Sequence, residues 1–248
     1  LKALMDPRGF TIDTLLDLWK TEYETDKIKK GFPRQGHGSI QDWYEGRKSI
    51  EAIRSLQAKR DDPGNAPPMR AVPLGFSEHE NMNRYAIINA DATHPHPKAR
   101  ATEYLVVKNG EQERVIDYCK QFIDDGNTLR SLAEANELVA PGKLDTIGYT
   151  VLCGPQPILF NGKELYGLPC ASLRTAVASL YILKHSPDTF TGLKHAIQLG
   201  GDVDSAAAIC TGILAGKFGL SSLPDFLLEQ TEGIDKLTNL ASAYVKNH

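Results

Sequence analysis

The chain has no C-x-x-C pair, no histidine spaced against cysteine as zinc ligands are, and no apolar run near the roughly 18 residues a membrane span needs. Its four cysteines, Cys119, Cys153, Cys170 and Cys210, stand far apart. They read as reduced thiols and not as a disulfide framework, which predicts a cytoplasmic protein. Cys119 and Cys210 fall on apolar positions of helical patterns and are expected in the core. An excess of one charge is also missing: 28 Lys and Arg against 31 Asp and Glu leave a formal net charge of -3. That excludes general electrostatic capture of nucleic acid. The one basic run, Lys27 to Lys30 with Arg34 nearby, reads as a solvated face. No charged-then-apolar leader is visible, and no membrane partner is expected. An initiator Met is absent too. The opening Leu1-Lys-Ala-Leu-Met5 reads as the inside or end of a helix, so the chain is expected to lack its beginning.

Strand signals are sparse, and helical periodicity fills their place. With 248 residues and 41% apolar content, the chain can bury a sizeable core. Ile12, Leu15, Leu16, Trp19 and Tyr23 follow a helical stripe, with Thr11 as its cap. The same period recurs through Val115, Cys119, Phe122 and Ile123, through Leu173 to Tyr181, and through Leu237 to Tyr244. Residues 48–59 form a weaker helix. Ile158-Leu-Phe160 and Glu164-Leu-Tyr166 flank Asn161-Gly162, which predicts a small hairpin. Loops are expected at 61–68, 93–97 and 138–155. The reading is an all-α, single compact domain over residues 1–248.

Three polar motifs interrupt this pattern. In Leu199-Gly-Gly-Asp-Val-Asp-Ser205, Asp202 reads as the N-cap of a helix with Asp204 and Ser205 in its first turn. Oxygen ligands at a helix start suit a hard cation such as Mg²⁺ or Mn²⁺. A plain cap with an acidic first turn is the alternative. The ridge of Ala208, Gly212, Ala215 and Gly216 predicts a central helix that a neighbour approaches closely. In Gly64-Asn-Ala-Pro-Pro-Met-Arg70, a helix is expected to start after Pro68. Backbone N–H groups of Gly64, Asn65, Ala66 or Met69 would then face a phosphate, with an ordinary capped turn as the alternative. In Thr93-His-Pro-His-Pro97, a rigid turn presents His94 to a ligand, while His96 is expected to be structural.

In this order, GNAPPMRAVPLG, THPHPKA, LRTAVASLY and HAIQLGGDVDSAAAICTGILAGKFG resemble the ADP-ribosylglycohydrolase family over about residues 10–230. That family includes arginine- and serine-directed ADP-ribosylhydrolases, dinitrogenase reductase-activating glycohydrolase and J-type lens crystallins. The resemblance implies an all-α fold and a binuclear Mg²⁺ or Mn²⁺ site. It implies hydrolysis of the N- or O-glycosidic bond of ADP-ribose attached to a protein side chain or small molecule. Asp202 and Asp204 match the catalytic carboxylates. Together with Ser205 they match metal ligands, with serine standing where threonine is usual. Gly64 and Asn65 match the loop near the diphosphate, and His94 matches the histidine near the ribose. Gly36-His-Gly-Ser39 matches a short ligand loop weakly. The implied partner is ADP-ribose or an ADP-ribosylated protein.

The departures are specific. The family's N-terminal T-D-D-T metal motif and its G-D-A-x-G segment do not occur. Asp6 and Asp13 have no neighbouring acids, Asp61-Asp62 lies elsewhere in the order, and Pro67 and Pro68 replace small residues. Two expectations follow: a piece of a complete hydrolase, or a degenerate relative that binds ADP-ribose or serves a crystallin-like structural role without turnover.

Overall fold

Thr11 begins the first long helix as its sequence suggests: its Oγ1 accepts from the Thr14 N–H at 3.2 Å. The computed structural model describes residues 1–30, 40–108, 126–138, 145–160 and 162–247. Helix α1 runs Ile12–Lys30 and turns Leu15, Leu16 and Tyr23 inward. A short α2 (Gln41–Tyr44) precedes α3 (Ile50–Ala58), which Ser49 caps through the Ala52 N–H at 3.1 Å. Next come α4 (Ala66–Ala71), a 3-10 stretch over Val72–Phe76, α5 (His79–Thr93) and α6 (Pro97–Val107). The second half holds α7 (Gly126–Glu137), α8 (Thr146–Cys153), α9 (Ser172–His185), α10 (Thr189–Gln198) and α11 (Val203–Phe218). Helices α12 (Asp225–Glu229) and α13 (Ile234–Asn247) follow. The fold is all-α. The expected hairpin is present as β1 (Ile158–Phe160) antiparallel to β2 (Lys163–Leu165), with Leu159 exposed on it.

Helix α9 is buried along nearly its whole length, from Ser172 to Leu183. A helix buried on nearly all sides must be surrounded, and α6, α7, α8, α10 and α11 pack against it. One core cluster joins Leu105, Leu132, Leu152, Leu168, Val177, Ile182 and Cys210. A second joins Phe10, Leu15, Leu74, Val106, Leu183, Ile209 and Leu214 around the N-terminal helices. Helices α6, α9 and α11 supply residues to both clusters and so hold the two halves in register.

Three expectations are corrected. The segment 138–155 is not all loop: Thr146–Cys153 is helical, and the Asp145 carboxylate caps it through the Gly148 N–H at 2.8 Å. The helix near Pro67-Pro68 starts at Ala66 and contains both prolines. They occupy its second and third positions, where the N–H has no intrahelical acceptor, so their missing donors cost no ladder bond. At Gly212 and Gly216 the small-residue ridge meets side chains of the 3-10 stretch Val72–Phe76 and not another helix's backbone. Ala208 and Gly216 are exposed, and the close neighbours are the Val72 side chain at Gly212 and the Phe76 ring at Gly216. The buried face of α11 is instead Ser205, Ala206, Ile209, Cys210, Ile213 and Leu214. Cys119, the pattern from Val115 to Ile123, Gly36-His-Gly-Ser39, the side chains of Lys27 to Lys30, and Arg34 lie outside the described residues. No helix among the described residues is long and apolar enough to cross a membrane.

The turn into α11 is built on backbone-to-backbone contact. Leu168 bridges Gly201: its N–H donates to Gly200 O at 2.9 Å, and its carbonyl accepts from the Asp202 N–H at 2.8 Å. Gly201 has φ +71°, and a Cβ there would overlap the Leu168 backbone. Gly233, with φ +73° and open space around it, shares only the backbone requirement. Gly201→Ala is therefore expected to cost more than about 2 kcal/mol, and Gly233→Ala about 1 kcal/mol, in urea unfolding. Equal losses would show that the contact with Leu168 contributes nothing.

Candidate functional site

The structure brings the Gly64 loop, the Thr93-His94 turn and the start of α11 together. Asp202 stands at the N-cap position of α11 with φ -79° and ψ 59°, as read from the sequence, but its side chain does not cap the helix. It accepts instead from Asn65 Nδ2. Asn65 is almost fully buried. The same Nδ2 also donates to Thr175 Oγ1 at 2.8 Å, and Asn65 Oδ1 accepts from Cys170 Sγ at 3.1 Å. Its amide therefore reads three segments at once. Ser172 anchors the loop itself: its N–H donates to Pro63 O at 2.8 Å and its Oγ to Gly64 O at 2.6 Å. Of the backbone donors expected for a phosphate, the Met69 N–H is spent on Asn65 O at 3.3 Å.

His94 is buried, and its Nδ1 lies 2.7 Å from Thr93 Oγ1. Its Nε2 faces the Gly64 backbone closely enough that a Cβ on Gly64 would sit 3.1 Å away. Glycine is thus the residue that leaves the imidazole edge open on the loop side. Burial, reinforced by the positive charges of Arg70 and Arg60, pulls the His94 pKa down to about 3. The ring is neutral at physiological pH. His96 behaves structurally: it is the N-cap of α6, and its Nδ1 accepts from the Lys98 N–H at 3.0 Å.

Behind His94 lies a polar chain that the sequence reading did not single out. The Arg70 guanidinium donates from Nε to Asn89 Oδ1 and from Nη2 to both Asn89 O and Thr93 Oγ1, each at 2.8 Å. Its opposite side stacks on Trp19, 4.3 Å from the ring centre. Asn89 Nδ2 donates to Glu103 Oε1 at 2.6 Å. Glu103 is fully buried, and burial pushes its pKa well up. Cys170, Thr175, Asn89 and Glu103 were likewise missed. Thr175 follows Arg174, and Glu103 follows Thr102, so neither stands out from its helix in the sequence.

The carboxylates of α11 carry a charge problem. Asp202 is half-buried and Asp204 exposed. Burial raises the Asp202 pKa, and the neighbouring Asp204 adds to the rise, while Asn65 and Ser205 oppose it. A cation facing both carboxylates would relieve this rise, and Asp202 and Asp204 are the α11 side chains that could hold one. Ser205 is less committed to it: its buried Oγ donates to Met69 Sδ at 3.1 Å and leaves its lone pairs for another donor or cation. Among the described residues no three His, Cys, Asp or Glu side chains gather at one point.

A helical fold whose polar centre joins a Gly-Asn loop, a Thr-His turn and an acidic helix start defines the class. The family model for ADP-ribosylglycohydrolase matches residues 1–248, and the chain belongs to that family. A curated relative from Archaeoglobus fulgidus, described as an uncharacterized protein, is 27% identical over 183 residues. The match covers 73% of this chain, which spans 57% of that relative's length. A solved ADP-ribosylglycohydrolase-related protein complex is similar with a TM-score of 0.62 and 19% identity, over 97% of this chain and 75% of that one. At that identity the likeness shows the fold alone.

The buried neutral imidazole has a thermodynamic consequence. His94 has a folded pKa of about 3 against 6.5 in the unfolded chain. Between those values the unfolded state binds the extra proton, so stability present above pH 6.5 is lost as pH falls toward 3. His94→Gln is expected to flatten that part of the acid limb. Urea unfolding of both proteins through this range isolates the His94 contribution as a difference. Parallel limbs would contradict it.

Proposed function

We propose that this protein's site acts on ADP-ribose, hydrolysing its N- or O-glycosidic bond to a protein side chain or small molecule. The observation that carries this reading is the direct bond from Asn65 to Asp202, which places the Gly64 loop against the acidic start of α11. Asp202 and Asp204, with Ser205 beside them, would hold Mg²⁺ or Mn²⁺, two ions being expected for a complete family site. Such a cation supplies positive charge against the ribose hydroxyls and the attacking water. The α11 carboxylates would serve as cation ligands and as the base that accepts a proton from water. The Gly64-Asn65 loop faces the diphosphate, and His94 offers a neutral hydrogen-bonding edge beside it. The formal net charge of -3 fits a small-molecule or modified-protein substrate better than nucleic acid.

A second reading, an ADP-ribose-binding or crystallin-like structural protein without turnover, is favoured by one feature. The described residues supply a partial cation ligand set, with the Ser205 hydroxyl turned to a thioether. The test is release of free ADP-ribose from arginine- or serine-linked ADP-ribosyl peptides, in Mg²⁺ and in excess chelator. Hydrolysis predicts Mg²⁺-dependent release, reduced about 100-fold or more in Asp202→Asn. Calorimetric binding of ADP-ribose with no release supports the binding protein, and neither binding nor release sinks both the catalytic and the binding readings.

A further inference from the structure

We propose that Arg70, acting through Thr93, fixes His94 as the tautomer that carries its proton on Nε2. The site then meets its ligand with a preset N–H donor beside Gly64. The assignment of that ligand rests on the function proposed above; the tautomer does not.

The argument is one of donors and acceptors. A guanidinium only donates. Arg70 Nη2 therefore donates to Thr93 Oγ1, and Arg70 Nε to the atom of Asn89 that must be Oδ1. The other end of that amide is then Nδ2, which donates to Glu103 Oε1 and finds an acceptor there. Arg70 thus fixes the amide, whose Nδ2 end meets Glu103, and Trp19 holds the far face of the guanidinium. The Thr93 hydroxyl accepts from Arg70 and still has its own proton to place. A helical threonine commonly gives it to the carbonyl four residues back. Here Thr93 Oγ1 makes no bond to that carbonyl, Asn89 O; its two partners are Arg70 Nη2 and His94 Nδ1. The remaining partner is His94 Nδ1, 2.7 Å away. Nδ1 is then an acceptor, and a neutral imidazole with an acceptor at Nδ1 carries its hydrogen on Nε2. Nε2 is the edge turned to Gly64.

The ring stays neutral because it is buried beside Arg70, so the donor does not switch with pH in the physiological range. Arg70 and Thr93 are positioning residues. Arg70 also explains itself over lysine: three bonds in one plane and a stacked face need a guanidinium.

The test uses the whole chain labelled with ¹⁵N-histidine, without ligand, at neutral pH. Long-range ¹H–¹⁵N spectra report the tautomer of each ring, and His94→Gln identifies the His94 signals. The expected result is the Nε2–H form alone in the wild type, a mixture of forms in Thr93→Val, and return of the single form in Thr93→Ser. An Nδ1–H ring in the wild type, or an unchanged single form in Thr93→Val, overturns the proposal. Calorimetry with ADP-ribose then reads the consequence. Thr93→Val is expected to bind about tenfold more weakly, with Thr93→Ser restored. Should the wild type show the Nε2–H ring yet fail to bind ADP-ribose, the ligand assignment is overturned while the relay is upheld.

Discussion

The contact between Asn65 and Asp202 is the constraint on which the site depends. It joins residues 137 positions apart through a buried amide. The amide is suited to this because it donates and accepts at one end of one short side chain. Nδ2 serves Thr175 and Asp202, and Oδ1 serves Cys170, so the polar group is buried without an orphan. An aspartate in its place would set a second carboxylate against Asp202. A glutamine would carry the amide past its partners by one methylene. The loop in which Asn65 sits is held in turn by Ser172 at the start of α9, the most completely buried helix, so the site is referenced to the centre of the fold.

Two further devices complete the frame. On the Asp202 side, the close approach of Gly200 and Gly201 to Leu168 fixes the backbone before the side chain is considered. On the His94 side, the chain from Glu103 through Asn89, Arg70 and Thr93 fixes a ring in place. The His94 arm runs through buried residues, where an unmet polar group is costly and a met one is rigid. The two arms meet across Gly64 and Asn65, adjacent residues whose roles differ. Gly64 leaves room for the imidazole edge, and Asn65 binds the carboxylate. The rise in the Asp202 pKa and the fall in that of His94 share one physical cause, burial of the charged form.

Much of the fold was legible because its helices carry a period. Leu15, Leu16 and Tyr23, Leu173 to Tyr181, and Leu237 to Tyr244 mark α1, α9 and α13 directly. Helix α8 was not legible: Thr146–Cys153 is short and carries no polar face to set a phase. Helix α4 was misplaced because adjacent prolines read as a break, although early helical positions tolerate them. Asp202, Asp204, Asn65 and His94 stood out as polar residues among glycines and prolines, Gly64 as the glycine beside Asn65, and the structure draws their three motifs together. Their connections did not stand out. Spacing along the chain says nothing of Thr175 meeting Asn65 across 110 residues, or of the Asp202 carboxylate leaving its own helix end for a distant amide. The tertiary bond won because Asn65 is buried and has no water to satisfy it, whereas a helix start open to solvent does.

The most direct measurement is a double-mutant cycle between the two ends of that bond. Asn65→Ala, Asp202→Ala and the double variant are compared with the wild type by urea unfolding at neutral pH. A buried hydrogen bond to a charged group predicts a coupling of about 1 kcal/mol or more, the double variant losing less than the two single losses combined. Additive losses, with no coupling, would mean that Asn65 and Asp202 stabilise the fold independently and that the site is not organised by their contact.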